Sequence, residues 1–243
     1  MRNVWTIAKR EFNMYFASPV AYAIAFVLLL ILGIFFYGDF ALAATQGGTP
    51  DDTQTIGLFA FLLLIFLPAL TMRLMAEEQR TGTIELLLTA PLREWELITG
   101  KWLAAFGFVS LLVLFTTVYL FILNRFVTPG LDLGPLAAAY LGLFLLVAAF
   151  LAAGVFVSTL FTNQIAAFFA TMAVLLLLWV ISSPLQNATG PFATVVQYLD
   201  TRSHLYNNFF RGVIDLSDVT YFVSIVILFL FLAARTVESR RWR

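Results

Sequence analysis

Side chains able to do acid–base, metal or electrostatic chemistry are scarce in this chain, and they are unevenly placed. Nine charged residues fall between positions 72 and 101: Arg73, Glu77, Glu78, Arg80, Glu85, Arg93, Glu94, Glu96 and Lys101. An apolar run lies on either side of them. Mixed signs interleaved with Ile84, Leu87 and Leu88 suit docking against another protein better than covalent chemistry, because a polar rim around an apolar centre is how an interface is built. The absence of cysteine excludes a disulfide framework, thiolate chemistry and a cysteine metal site. His204 is the only histidine and forms no metal cluster; it reads as an interfacial polar residue. No GxxxxGK[ST] run occurs, so the chain has no means of hydrolysing ATP alone. Gly100-Lys101 is only the tail of such a motif, and Lys101 reads as a snorkelling interfacial base. Asn187-Ala188-Thr189 matches the glycosylation tripeptide, a pattern common by chance.

The surroundings of that charged stretch are a membrane protein's. Hydrophobic residues make up 61% of the 243 and charged residues 12%, with a mean hydropathy of +0.93. A soluble domain carries about 25% charged residues. Long apolar runs recur, and a helix needs about 20 such residues to cross the hydrocarbon core. The alternation of a β-barrel is missing, so the spans are helices. Zero net charge argues against a nucleic-acid partner. Within the spans essentially no ionisable group sits at mid-membrane depth. That disfavours an ion-coupled transporter and an intramembrane enzyme alike.

In chain order, residues 1–19 form an amphipathic interfacial helix. Val4, Trp5, Ile7, Ala8, Phe12, Met14, Tyr15 and Phe16 share one broad face, and Arg2, Asn3, Thr6, Lys9, Arg10 and Asn13 the other. Glu11 falls inside the apolar arc; its carboxylate either reaches water or an adjacent base, or has a partner in another helix. Ser18-Pro19 breaks the helix. Spans follow at about 20–37, 56–72, 102–123, 136–161, 165–181 and 219–234. The loop 39–55 is acidic, with Asp39, Asp51 and Asp52, and a polar turn at Thr162-Asn163-Gln164 separates the fourth and fifth spans. The fold class is therefore an all-α integral membrane protein of six transmembrane helices, a single domain over 1–243. The basic residues orient it. Eleven fall on one side (Arg2, Lys9, Arg10, Arg73, Arg80, Arg93, Lys101, Arg235, Arg240, Arg241, Arg243) and three on the other (Arg125, Arg202, Arg211). This puts both termini and the 72–101 loop in the cytoplasm. The N-terminus, charged at Lys9, Arg10 and Glu11 and without a small-residue cleavage site, does not read as a cleaved signal peptide.

Read closely, the second span continues as a helix through Arg80 and is interrupted at Thr81-Gly82-Thr83, where Gly82 supplies backbone freedom. A short helix over 84–89 puts Ile84, Leu87 and Leu88 on one stripe, with Glu85 on its first turn. Ala90-Pro91 ends it. So short a helix needs a receiver for its stripe: the protein's own membrane-facing side, the headgroups, or a docking partner.

The run MRLMAEEQRTGTIELLLTAPLREWELITGKW resembles the signature of the type-2 ATP-binding cassette (ABC-2) exporter permeases. The likeness extends to KREFNMYFASPVAY before the first span and HLYNNFFRGVIDLSDVTYF before the last, and the gliding-motility-associated permeases are the nearest subgroup. The resemblance implies a cytoplasmic coupling helix in the 72–101 loop, docked on a separate ATPase subunit. Glu77, Glu78, Arg80, Gly82, Thr83, Glu85, Leu87, Leu88 and Pro91 match that region. It implies that Arg10, Glu11 and Phe12 belong to the amphipathic-helix motif, beside Trp5. It also implies that 182–218 is an outer segment re-entering the outer leaflet, with Arg211, Gly212 and Asp215 as its recognisable part. The implied assembly is two permeases, identical or different, with two copies of an ABC ATPase, in the inner membrane of a bacterium and in contact with its lipids. ATP and Mg would sit in the partner, with no cofactor on this chain and room for an envelope accessory protein. The implied activity is export of an amphiphilic substrate; the alternative is a mechanotransmission or scaffold subunit of an envelope machine that moves no solute.

Overall fold

The computed structural model describes residues 2–46, 52–83, 92–126, 132–181 and 190–240. Among these the ordered elements are helices, with no strand. They are α1 (Arg2–Ala17), α2 (Pro19–Gln46), α3 (Asp52–Thr71), α4 (Ala76–Thr81), α5 (Glu94–Asn124), α6 (Leu133–Leu160), α7 (Gln164–Val180), α8 (Pro191–Tyr198), α9 (Thr201–Asn207), a 3₁₀ turn (Phe209–Arg211) and α10 (Leu216–Arg240). Five are long and apolar enough to cross a membrane: α2, α3 with its extension into α4, α5, α6 and α10. The apolar part of α3 ends at Thr71, and the α4 that follows is charged. At 17 residues, α7 is apolar but shorter; at 1.5 Å per residue it extends about 26 Å.

The bundle is built around α6. Of its apolar stretch 78% is buried, against 17% for α2 and 22% for α10, which are peripheral. Its neighbours are α3, α5, α7, α10 and the 3₁₀ turn. Small residues allow this, because without a hydrophobic drive inside lipid, helices associate through close backbone approach. A methyl group added at Gly154 would stand 2.5 Å from the Thr71 hydroxyl oxygen, and one at Gly142 would stand 2.8 Å from Phe209. Polar side chains bridge the packed helices: Trp102 Nε1 donates to the Ala148 carbonyl (3.0 Å), and Tyr119 Oη to the Leu29 carbonyl (3.2 Å). Asp132 and Asn163 cap α6 and α7, accepting from the amides of Gly134 (3.0 Å) and Ile165 (2.9 Å).

Several boundaries differ from those read off the sequence. The first span does not end near residue 37: α2 runs to Gln46 through Asp39, because the intervening Ala-rich run favours helix. Likewise α3 starts at Asp52, α6 at Leu133, and α10 runs from Leu216 to Arg240, so most of the basic tail is helical. The expected smooth continuation from α3 into α4 is broken by turns over 72–75. Thr71 Oγ1 bonds back to the Leu67 carbonyl (3.0 Å), and the amides of Met75 and Ala76 turn to Ser158 Oγ on α6 (3.1 and 3.2 Å). A side chain from another helix has replaced the intrahelical acceptors. The break at Ser18 is as expected, with Pro19 opening α2.

Candidate functional site

The charged residues gather where α1, α4 and α5 meet. α1 lies on the start of α5, and glycines set their distance: a methyl group at Gly100 would come within 2.8 Å of Ile7 and 3.1 Å of the Val4 carbonyl, and one at Gly107 within 3.3 Å of Phe12. The broad apolar face expected of α1 is thereby divided. Val4, Ile7, Ala8 and Glu11, at helical spacing, are buried against the protein, while Trp5 (70% exposed), Met14 and Phe16 are left outside. Phe12 stacks obliquely on Phe16 at 5.1 Å.

At the centre of the junction is Lys101, which is 2% exposed. Its Nζ sits 3.1 Å from Glu11 Oε1 and 2.8 Å from Glu78 Oε1. Glu11 is 5% exposed and Glu78 17%; Arg10, reaching in from solvent, adds a 2.8 Å pair to Glu11 Oε1. Two carboxylates and two cations make the group neutral, which is what burial of charges demands. Burial pushes the Glu78 carboxyl above its ordinary range, opposed by Lys101. Burial, aided by Glu11, also pushes the Tyr15 phenol up. Lys101 is therefore not the snorkelling base the sequence suggested, and Glu11 does not reach for water. Lys101 falls on the buried stripe of α5 with Leu97, Ala104 and Phe108. That spacing, together with a lone carboxylate in the apolar arc of α1, is the signal that could have paired them.

A second set of bonds fixes α4 to the end of α6. Besides the two amides held by Ser158, Gln79 Nε2 donates to the Thr159 carbonyl (2.9 Å). α4 ends at Gly82, whose φ of 72° is the left-handed conformation that suits glycine. Glu77 and Arg80 are exposed, and the Thr81 and Thr83 hydroxyls bond each other at 3.0 Å. Ile84, Glu85, Leu87, Leu88 and Pro91, expected to belong to the coupling helix, lie outside the described residues. On the N-terminal side of α5, Glu96 accepts from the Arg93 amide (3.1 Å) and the Asn3 side chain (3.2 Å), tying α1 to this helix start.

The opposite end of the bundle holds a different buried network, in the segment expected to be an outer connection. The His204 Nε2 donates to the Tyr198 carbonyl (2.8 Å), and Nδ1 lies 2.6 Å from Asp218 Oδ1. The other Asp218 oxygen accepts from Asn208 (2.8 Å). Stacked on the imidazole at 4.1 Å is Tyr221, whose hydroxyl donates to the Leu199 carbonyl (2.8 Å) and accepts from Thr201 (3.0 Å). His204 is thus buried, not an interfacial residue facing water. Its carboxylate partner, Asp218, is 14 residues on in another helix, so no local spacing exposed the pair. Of the expected outer residues, Arg211 is exposed, Gly212 (φ 81°) turns the chain tightly over Pro135, and Asp215 caps α10 by accepting from the Ser217 amide (3.0 Å). Among the described residues no group of three or more His, Cys, Asp or Glu could hold a metal ion.

A family model described as an ABC-2 family transporter protein matches residues 52–236. The match begins with α3 and ends within α10, taking in the 72–101 loop. A search of curated proteins finds no match.

Proposed function

The chain belongs to the ABC-2 family of transporter proteins, and from that premise we propose that it is the membrane-spanning half of an ATP-driven exporter. It is a multi-pass membrane permease subunit, of a family that pairs with an ABC ATPase and is not itself catalytic. In the proposed assembly two permeases stand on two ATPase subunits in the bacterial inner membrane, with α7 as the sixth span. The end carrying α1, α4 and the α10 terminus faces the cytoplasm, as the distribution of basic residues favours. ATP and Mg belong to the partner, and an amphiphilic cargo passes between the permeases.

The observation that carries the coupling reading is the Lys101 junction. The segment leading into the loop, α4, is pinned by charge to α1 and α5 and by hydrogen bonds to α6. A push on the 84–89 segment would therefore reach the central helix of the bundle as well as its own span. Replacing Leu87 and Leu88 together with alanine, or Glu85 with alanine, should leave the chain inserted in the membrane while separating ATP hydrolysis from transport. Both activities are measured on the purified complex in proteoliposomes; fully coupled activity in these variants defeats the proposal.

A further inference from the structure

Beside the Lys101 junction is an open-sided cavity of about 610 Å³, lined by α1, the start of α2, the end of α3, α4 and Lys101 of α5. One wall is apolar, formed by Met14, Ala21, Ile24, Leu70 and Leu74. Arg73 and Glu77 also line it. The other charged groups around the cavity are already committed: Arg10 to Glu11, and Lys101 to Glu11 and Glu78. Arg73 and Glu77 are exposed, and among the described residues neither side chain has a partner. Four residues apart, they would face each other on a continuous helix. The turns over 72–75 remove that register and leave a guanidinium and a carboxylate in one cavity. Glu78 also lines the cavity, with its carboxylate held by Lys101.

We propose that this cavity binds a membrane phospholipid with a primary-amine headgroup. Arg73 takes the phosphate, for which the planar guanidinium is suited. The ammonium sits against Glu77, and an acyl chain lies along the apolar wall. A cation and a carboxylate in one cavity select a zwitterion, because an anionic headgroup would bring Glu77 no positive charge. A choline headgroup has no N–H to donate. The apolar wall and the position just past the apolar end of α3 favour a lipid over a soluble ligand. The site is independent of what the complex transports.

The test is lipid retention by the purified full-length chain. It is equilibrated in mixed micelles with equal amounts of dioleoyl phosphatidylethanolamine, phosphatidylcholine and phosphatidylglycerol, repurified, and its bound lipid quantified by mass spectrometry. Phosphatidylethanolamine should be enriched about tenfold over the other two, the scale of one charge-assisted hydrogen bond. Glu77→Gln should reduce it to the level of phosphatidylcholine, and Arg73→Ala should lower retention of all three. Both residues are exposed, so these changes leave the core intact. Met14→Trp, which narrows the apolar wall without touching charge, should also lower retention. Equal retention of the three lipids, preference for phosphatidylglycerol, or an unchanged preference in Glu77→Gln overturns the proposal. So does equal binding of soluble phosphoethanolamine, which would assign the site to a free ligand.

Discussion

Lys101→Met puts the junction to the most direct test. The substitution keeps most of the side-chain volume and removes the one cation shared by two carboxylates, at 3.1 and 2.8 Å. Breaking a buried ion pair from one side costs about 3–5 kcal/mol, because the remaining charge is left uncompensated. The lower end applies here. Arg10 still faces Glu11, and Glu78, whose carboxyl is already pushed up by burial, can take a proton. At about 2–4 °C per kcal/mol for a chain of this size, about 3 kcal/mol lowers Tm by roughly 6–12 °C. The sign with pH follows from the same group. A carboxyl whose folded value is raised favours the fold in its protonated form, and that support is lost as pH rises from the ordinary value of 4.5 through the raised one. Without Lys101 the value rises further, so the deficit of the variant should widen toward neutral pH and shrink toward pH 4.5. The triple variant Glu11→Gln, Lys101→Met, Glu78→Gln removes the charges together and should recover most of the loss. Scanning fluorimetry in detergent micelles, run on wild type and both variants between acid and neutral pH, reads all three outcomes. A Tm for Lys101→Met within a degree or two of wild type, or a deficit that does not shrink on acidification, refutes the reasoning.

Gly100→Ala should loosen α1 from α5, since its methyl group would meet Ile7 at 2.8 Å and a backbone carbonyl at 3.1 Å. Overpacking of this kind costs about 1–3 kcal/mol, and faster thiol labelling of a reporter at the neighbouring buried Ala8 (Ala8→Cys), in a chain with no native cysteine, would report it. Ser158→Ala leaves the buried amides of Met75 and Ala76 without their acceptor. Hydrogen exchange over 72–81 should accelerate about 5–150-fold, the equivalent of roughly 1–3 kcal/mol, with other spans unchanged. Asp218→Ala strands His204 and Asn208 in their buried network. It should lower Tm by about as much as Lys101→Met, while leaving α4 exchange as in wild type.

Membrane placement was legible because it depends on composition alone: an apolar run of sufficient length must be helical in lipid, wherever its neighbours lie. The breaks at Ser18-Pro19 and Gly82 were legible for a similar reason, since the restrictions of proline and glycine are local to the chain. The sequence also placed Glu77, Glu78 and Arg80 in the segment that leads into the loop. What it did not give is which faces meet. Lys101 and Glu11 are 90 residues apart, and Ser158 is 83 from Met75. A charge in a hydropathy pattern carries no mark of its partner, so Lys101 read as a base reaching for water and Glu11 stayed ambiguous. The break over 72–75 was hidden because nothing in its own residues forbids a helix; a hydroxyl from α6 took the amides. His204 was misplaced on the same ground. Local propensity and hydropathy thus decided where helices lie and that they cross a membrane. Only the tertiary packing decided which of their few polar groups are buried together, because that depends on the approach of distant helices, set by small residues such as Gly100 and Gly154.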